Sequence, residues 1–185
     1  MFRKSVKSGT GLILWTVSLT FFVCSIVCPG CGTVEGKLDP NDKGFHVEIP
    51  AGWKTDTYPE LALVAYNPLE GPSDNFPEMM MVGVEVYPVN LSLKKYIASL
   101  KDSLMDDYSN TRIIEEGPAY ISKRPGKYLI FEYTDDNELL KGIVYAIMEK
   151  NKGYTLFFIS SRSEFDRHSV LFDRLKDTFR IDKQW

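Results

Sequence analysis

Two neighbouring segments in the second half of the chain are apolar on both of their faces. Residues 143–147 read IVYAI, residues 156–159 read LFFI, and a short turn at Lys152-Gly153 separates them. Successive side chains of a strand point to opposite faces, so a half-exposed strand would alternate between polar and apolar residues. Continuous apolar character instead predicts central strands of a sheet that is covered on both sides.

The remaining segments predict further strands and two helices. A helix is expected from Ser92, a good N-cap, and a closing helix from about Ser163, where Ser161 and Glu164 are spaced as a capping box. A hairpin is expected across residues 135–138, and an interruption at Gly117-Pro118. The predicted strands cover residues 44–50, 61–66, 79–87, 111–122, 127–134, 139–149 and 154–160. This order predicts an α+β fold, with a central antiparallel sheet of about six to seven strands covered by helices.

The first 30 residues have the character of an export signal. Arg3, Lys4 and Lys7 precede an uncharged stretch that contains the apolar run 11–27, and a small residue, Gly30, stands directly before Cys31. This arrangement resembles a bacterial lipoprotein signal and predicts cleavage before Cys31, which would then carry the lipid. Residues 31–43 would form a flexible tether, and residues 44–185 the folded domain.

Two other interpretations of the leader stay open. The apolar run has about the minimum length for a membrane-spanning helix, roughly 17 residues, so the leader could remain as an uncleaved anchor. Plain secretion is the third possibility, since Gly30 and Gly32 are small enough for processing.

Composition excludes several classes of function. All three cysteines, Cys24, Cys28 and Cys31, lie in the leader, so the domain has no disulfide, thiol nucleophile or cysteine-ligated metal. Of 22 basic residues three lie in the leader, which leaves 19 against 25 acidic residues, a formal charge of −6. No basic stripe is visible along the body of the sequence, so we expect no nucleic-acid partner and no electrostatic help in binding anionic lipid.

Few residues are candidates for chemistry. His46 and His168 are the only histidines, the first beside Glu48 on a polar strand face and the second at the edge of the apolar stripe of the closing helix. Neither has a visible set of metal ligands, and we expect ordinary structural roles for both.

The carboxylates have simple structural explanations. Asp135, Asp136 and Glu138 are explained by turn chemistry, as are the acidic residues of the tether. Carboxylate pairs among Glu115, Glu116 and Glu132 could serve acid–base chemistry, but solvated strand faces explain them as well.

Two further features of the sequence could form binding elements. The run Met79-Met80-Met81 is expected to fill the core rather than to bind copper. The proline-rich loop 67–78, with Leu69 and Phe76, is the best candidate for a recognition surface.

Several short signatures resemble the PsbP-like and DcrB-like domains. They are GFHVEIPAGW at 44–53, LSLKKY at 91–96, YTLFFIS at 154–160 and FDRLKDTFRI at 172–181, and together they span Gly44 to Asp182. The resemblance implies an α/β/α sandwich. Members of these families are mostly non-enzymatic accessory or binding proteins, and many of them are exported or lipid-anchored. The resemblance therefore also implies an accessory or binding role without catalysis.

The expected function follows from these observations. We expect a membrane-tethered lipoprotein that faces the periplasm or the exterior of a bacterium and has a protein partner in the cell envelope. We expect no catalysis, no metal and no cofactor. The alternatives are a metal- or carboxylate-dependent envelope enzyme and a purely structural envelope component.

Overall fold

The computed structural model describes residues 44–69, 71, 76–108 and 110–182. The expected signal peptide, the tether and the lipidation site Cys31 lie outside the described residues. Within the described part of the chain, no helix is both long enough and apolar enough to cross a membrane.

The described residues form nine strands and two helices. The strands are β1 Phe45–His46, β2 Lys54–Asp56, β3 Leu63–Tyr66, β4 Met79–Val86, β5 Arg112–Ile121, β6 Arg124–Asp135, β7 Glu138–Glu149, β8 Lys152–Ser161 and β9 Arg180–Ile181. The helices are α1 Leu93–Asp107, between β4 and β5, and α2 Phe165–Thr178, between β8 and β9.

Seven strands form one sheet in the order β2-β3-β4-β8-β7-β6-β5, and every neighbouring pair is antiparallel. β1 and β9 form a separate antiparallel pair. The predicted α+β class with a central antiparallel sheet is therefore confirmed.

Each face of the sheet has its own apolar core. The α2 side contains Phe158 and Tyr145 under Phe172 of the helix, and the α1 side contains Val144 and Leu129 under the other helix. β7 and β8 contribute to both cores, which explains why their sequences do not alternate. The methionine run follows the same geometry, because Met80 and Met81 are buried on opposite faces, as expected for core packing.

Several predicted boundaries were wrong. Only two residues of segment 44–50 form a strand, because β1 pairs with the short β9 and not with the main sheet. β5 runs through Gly117-Pro118 without a break, since it is an edge strand and a proline there need not donate to a neighbour. The turn before β8 is Lys150-Asn151, two residues earlier than predicted.

The two helix starts differ from each other. Ser92 caps α1 as predicted, with its Oγ accepting from the backbone N–H of Lys95 at 3.3 Å. The capping box predicted for α2 is wrong. Glu164 occupies the N-cap without a side-chain capping hydrogen bond, and the Ser161 hydroxyl lies 3.2 Å from that of Ser163.

The antiparallel topology gives the sheet two distinct ends. The entry end is where the described chain begins. There Gly44 accepts a hydrogen bond from the backbone N–H of Asp182, and the turns Ser122-Lys123 and Lys150-Asn151 lie at the same end. The far end carries the β6–β7 turn Asp136-Asn137 and the start of α2. The ten residues of β8 span the distance between the ends, about 33 Å at ~3.3 Å per residue.

Candidate functional site

An open polar depression of about 920 Å³ lies at the far end of the sheet. The β6–β7 hairpin tip forms one wall, and the connection from β8 into α2 forms the other. Its charged and amide groups come from Glu132, Asp136, Asn137, Glu138, Lys141, Arg162 and Asp166. Of these residues, the sequence offers Glu132, Asp136 and Glu138 as candidates, and it gives no signal for the others.

The hairpin wall depends on a two-residue turn. Asp136 and Asn137 have φ values of 44° and 68°, and a turn with positive φ at both central residues matches the twist of the strands it joins. Asp and Asn accept this backbone conformation better than most residues, so turn chemistry explains the acidic tip as predicted. Burial, and then the charge of Asp136, raise the pKa of the Asp135 carboxyl above its usual value.

A buried carboxylate forms the base of the depression. Glu132 is 7% exposed, and its two oxygens accept from Arg112 Nη2 and from Arg162 Nε, both at 3.0 Å. Arg112 lies directly opposite Glu132 in the β5–β6 register, whereas Arg162 follows β8. The carboxylate therefore joins an edge strand to the start of α2.

The two arginines determine the charge state of Glu132. Burial alone would raise the pKa of its carboxyl, but the hydrogen bond from Arg112 and the charge and hydrogen bond of Arg162 outweigh that effect, so the pKa is lowered. Glu132 is thus a fixed anion that orients Arg162, whose side chain remains 57% exposed at the rim.

A second cation lies beside this group. Lys141 Nζ is 3.4 Å from Asp166 Oδ1 and 4.5 Å from the centre of the Phe165 ring. The ion pair and the cation–π contact hold the ammonium against the first turn of α2. The depression therefore offers fixed positive groups next to the exposed carboxylates of Asp136 and Asp166, an arrangement that suits a polar partner of mixed charge.

A buried pair on the next turn of α2 ties the helix to the loop 67–78. His168 Nε2 lies 3.1 Å from Glu78 Oε1, and the other oxygen of Glu78 accepts from Asn67 Nδ2 at 3.0 Å. The His168 ring also stacks on Phe172 at 6.2 Å, so its predicted position at the edge of the apolar stripe is confirmed. The sequence offered no signal for its carboxylate partner, which is 90 residues away in the chain.

The other sequence candidates do not come together. Glu115 and Glu116 lie next to each other on β5 and are engaged separately, the first by the Tyr128 hydroxyl and the second by Lys101. In the β5–β6 register they lie opposite Ile130 and Leu129, whereas Glu132 lies opposite Arg112. His46 is exposed on β1, opposite Arg180.

The candidate recognition loop is described only in part. Leu69 is 55% exposed, but Phe76 packs against the core on the α1 side and so is not an exposed tip. Across the described ranges of the chain, no three His, Cys, Asp or Glu side chains are grouped so that they could hold a metal ion.

The sheet between two helices defines a PsbP-like α+β fold, with an open polar surface at its far end. No protein-family model matches the chain, and no curated protein matches it in sequence.

Solved structures with this fold come from several bacteria. LpqN of Mycobacterium tuberculosis, involved in cell envelope biogenesis, has a TM-score of 0.60 and 10% identity, covering 75% of this chain and 83% of its own. The cyanobacterial PsbP protein CyanoP from Synechocystis sp. PCC 6803 has a TM-score of 0.55 and 16% identity, with 82% and 97% covered. PA94 of Pseudomonas aeruginosa, a protein of unknown function, has a TM-score of 0.56 and 11% identity, with 75% and 92% covered.

Proposed function

We propose that this protein is a lipoprotein of the bacterial cell envelope, anchored through Cys31, that binds a protein partner with its far end and has no catalysis of its own. Its relationship would be to the DcrB-like as well as the PsbP-like domains. The tether between Cys31 and Gly44 would hold the domain outside the cytoplasmic membrane.

One observation carries the proposal. The chain enters the domain at one end of the sheet, and the polar depression lies at the other, about 33 Å away. The 12 residues 32–43 can span at most about 40 Å, so the domain would stay close to the membrane, and the entry end, which the tether joins, would on average lie nearer to it than the depression. Such an arrangement supports contact with another envelope component.

The character of the depression favours a protein over a small molecule. Small-molecule sites are mostly enclosed and apolar, with a few converging polar groups. Here the surface is open, and its charges are already paired or exposed at the rim, as in the polar parts of protein–protein interfaces. The shared fold with LpqN, an envelope-biogenesis protein, also supports a role in the envelope.

The partner site can be tested by site-specific crosslinking. A photoreactive amino acid at Asn137, on the exposed hairpin tip, is expected to give one reproducible adduct with an envelope protein in intact cells. The same group at Val170, which is 76% exposed on α2 outside the depression, serves as the control. Lys141→Glu should reduce the Asn137 adduct at least several-fold. Equal adducts from both positions, or none from Asn137, would contradict a binding role for the depression.

The anchor is tested by a separate substitution. Cys31→Ser should leave the precursor uncleaved or release the domain, and in either case abolish metabolic labelling of the protein with a fatty acid. The matched control is Cys28→Ser, which retains the small residue before Cys31. If the C31S protein still incorporates the fatty acid, the assignment of the lipid to Cys31 is wrong.

A further inference from the structure

We propose that the entry end of the domain is a lipid-facing surface, which contacts the anionic headgroups of the membrane to which the chain is tethered. The proposal rests on the tethered orientation in the proposed function. It adds a second contact with the membrane, made by the folded domain itself.

Lysines from distant parts of the chain meet at this end. Lys94 and Lys95 lie in the first turn of α1, Lys123 and Lys150 lie in two hairpin turns, and Lys152 begins β8. All except the half-buried Lys152 are exposed. The strand order places the two hairpin turns side by side, because β5–β6 and β7–β8 both turn at the entry end.

The acidic residues at this end are fewer and partly engaged. Glu149 pairs with Arg124 at 3.0 Å, and Glu85 accepts from the Tyr87 hydroxyl. Asp177 pairs with Lys176 at 3.2 Å, and the carboxylates of Glu48 and Asp182 and the guanidinium of Arg180 complete the charged set. Eight basic side chains therefore face five acidic ones, and the remaining excess is positive. The far end has the opposite balance, because Asp106, Asp107, Asp135, Asp136, Glu138 and Asp166, together with Glu132, outnumber the basic Arg112, Lys141 and Arg162 there.

The placement of these lysines runs against local preference. Lys94 and Lys95 occupy the positive end of the α1 dipole, where acidic residues are favoured and none is present. Lys123 and Lys150 have φ values of 61° and 55°, a conformation that glycine or asparagine adopts more easily. These four lysines disfavour the helix end or the backbone conformation in which they lie, and all four are on one surface. Their placement therefore indicates a role in binding and not in folding.

Exposed apolar side chains accompany the lysines. Val86 and Val89 are each 65% exposed at the end of β4 and in the loop after it, and Tyr120 is 72% exposed at the end of β5. Along the strand order, Val86 and Val89 lie on the β4 side of the two lysine turns, and Tyr120 lies on the β5 side. Tyrosine with an apolar ring and a polar tip is suited to the headgroup region, and basic groups supply the attraction to anionic lipid.

The position at which the tether joins the domain favours lipid as the partner of this surface. The described chain begins at Gly44 on the entry end, so a lipid on Cys31 would hold this end nearer to the bilayer than the far end. Lysines act on an anionic surface only within a Debye length, about 8–10 Å, and the tether makes that approach frequent.

The surface is tested on the mature chain without its lipid. Residues 31–185 carrying C31S contain both cores, which are formed between Phe45 and Phe179, and cooperative thermal unfolding verifies that each variant is folded. Binding is measured by flotation with vesicles of phosphatidylcholine alone or mixed with phosphatidylglycerol. We expect binding only to the mixed vesicles, and its loss at high salt.

A charge-matched pair of variants locates the contact. The entry-end double variant K150E/K152E should lower the partition coefficient at least about 25-fold, since each lysine near an anionic surface contributes about fivefold. The control K54E/R167E makes the same change in charge away from the entry end and should bind nearly as the parent chain does. Equal binding to both vesicle types, or equal losses in the two variants, would overturn the proposal. Because this chain carries no lipid, such a result would leave anchoring through Cys31 untouched.

Discussion

Replacing Phe172 by alanine is expected to lower the free energy of unfolding by about 3–5 kcal/mol. Phe172 is fully buried, and its ring stacks on Phe158 of the sheet at 5.1 Å between centroids. Phe165 and His168 also contact it, at 5.9 and 6.2 Å. Removal of the ring leaves a cavity at the centre of the contact between α2 and the sheet.

The measurement is equilibrium unfolding in urea of the mature chain. Val170→Ala on the same helix is the control, because Val170 is 76% exposed and its truncation should change stability by less than about 0.5 kcal/mol. Phe172→Leu, which fills part of the volume, should fall between the two. A loss below about 1 kcal/mol for Phe172→Ala would mean that α2 does not depend on this contact.

Replacing Glu132 by alanine is expected to cost about 2 kcal/mol. Breaking a buried ion pair commonly costs about 3–5 kcal/mol, but both arginine partners are more than half exposed and can be rehydrated, which reduces the loss. The substitution also leaves two guanidinium groups near each other without the anion between them. Glu132→Gln should cost less, since the carboxamide oxygen can still accept one hydrogen bond.

The contribution of Glu132 to the free energy of unfolding is expected to decrease as the pH falls. The folded protein lowers the pKa of this carboxyl below its ordinary value of 4.5, so its contribution is complete above that pH. As the pH falls from 4.5 through the lower folded-state pKa, the unfolded chain takes up a proton that the native carboxylate does not yet bind, so unfolding becomes more favourable and the contribution is lost. The difference in stability between the parent and Glu132→Gln should therefore narrow in acid.

Urea unfolding of both proteins at neutral and acidic pH measures this difference. Glu116→Gln is the matched control, because Glu116 is also a strand carboxylate paired with a cation, Lys101 of α1, but its side chain is 42% exposed and a surface pair contributes little to stability. An equal cost for the two substitutions, or a Glu132 effect that grows in acid, would contradict the assignment of Glu132 as a buried anion.

Much of the architecture could be predicted because it depends on local apolar pattern. β7 and β8 are apolar on both faces, so each face of the sheet must be covered. The apolar stripes of α1 and α2 cover the two faces. The predictions were wrong where the pairing between strands determines how long a strand is. β5 continues through Pro118 only because it lies at an edge, and the strand predicted at 44–50 shrinks to two residues because its partner is the short β9.

The candidate site was accessible from the sequence only in part. The acidic hairpin tip was visible as a turn, but Arg112, Lys141 and Arg162 resemble ordinary surface residues until the strands are placed in register. Solvated strand faces explained Glu132 in the sequence, but the structure buries it between the side chains of Arg112 and Arg162. The contact between His168 and Glu78 depends on how α2 lies across β4, which no local pattern encodes.

The distribution of charge separates what the sequence determines from what only the tertiary structure determines. Composition alone determined that the domain is acidic, and the apolar periodicity determined its class of fold. Only the tertiary structure separates the charges into a basic entry end and an acidic far end, because antiparallel pairing brings alternate turns to the same end of the sheet. A net charge is a sum over the sequence, whereas the field at a surface depends on where the folded chain places each charge.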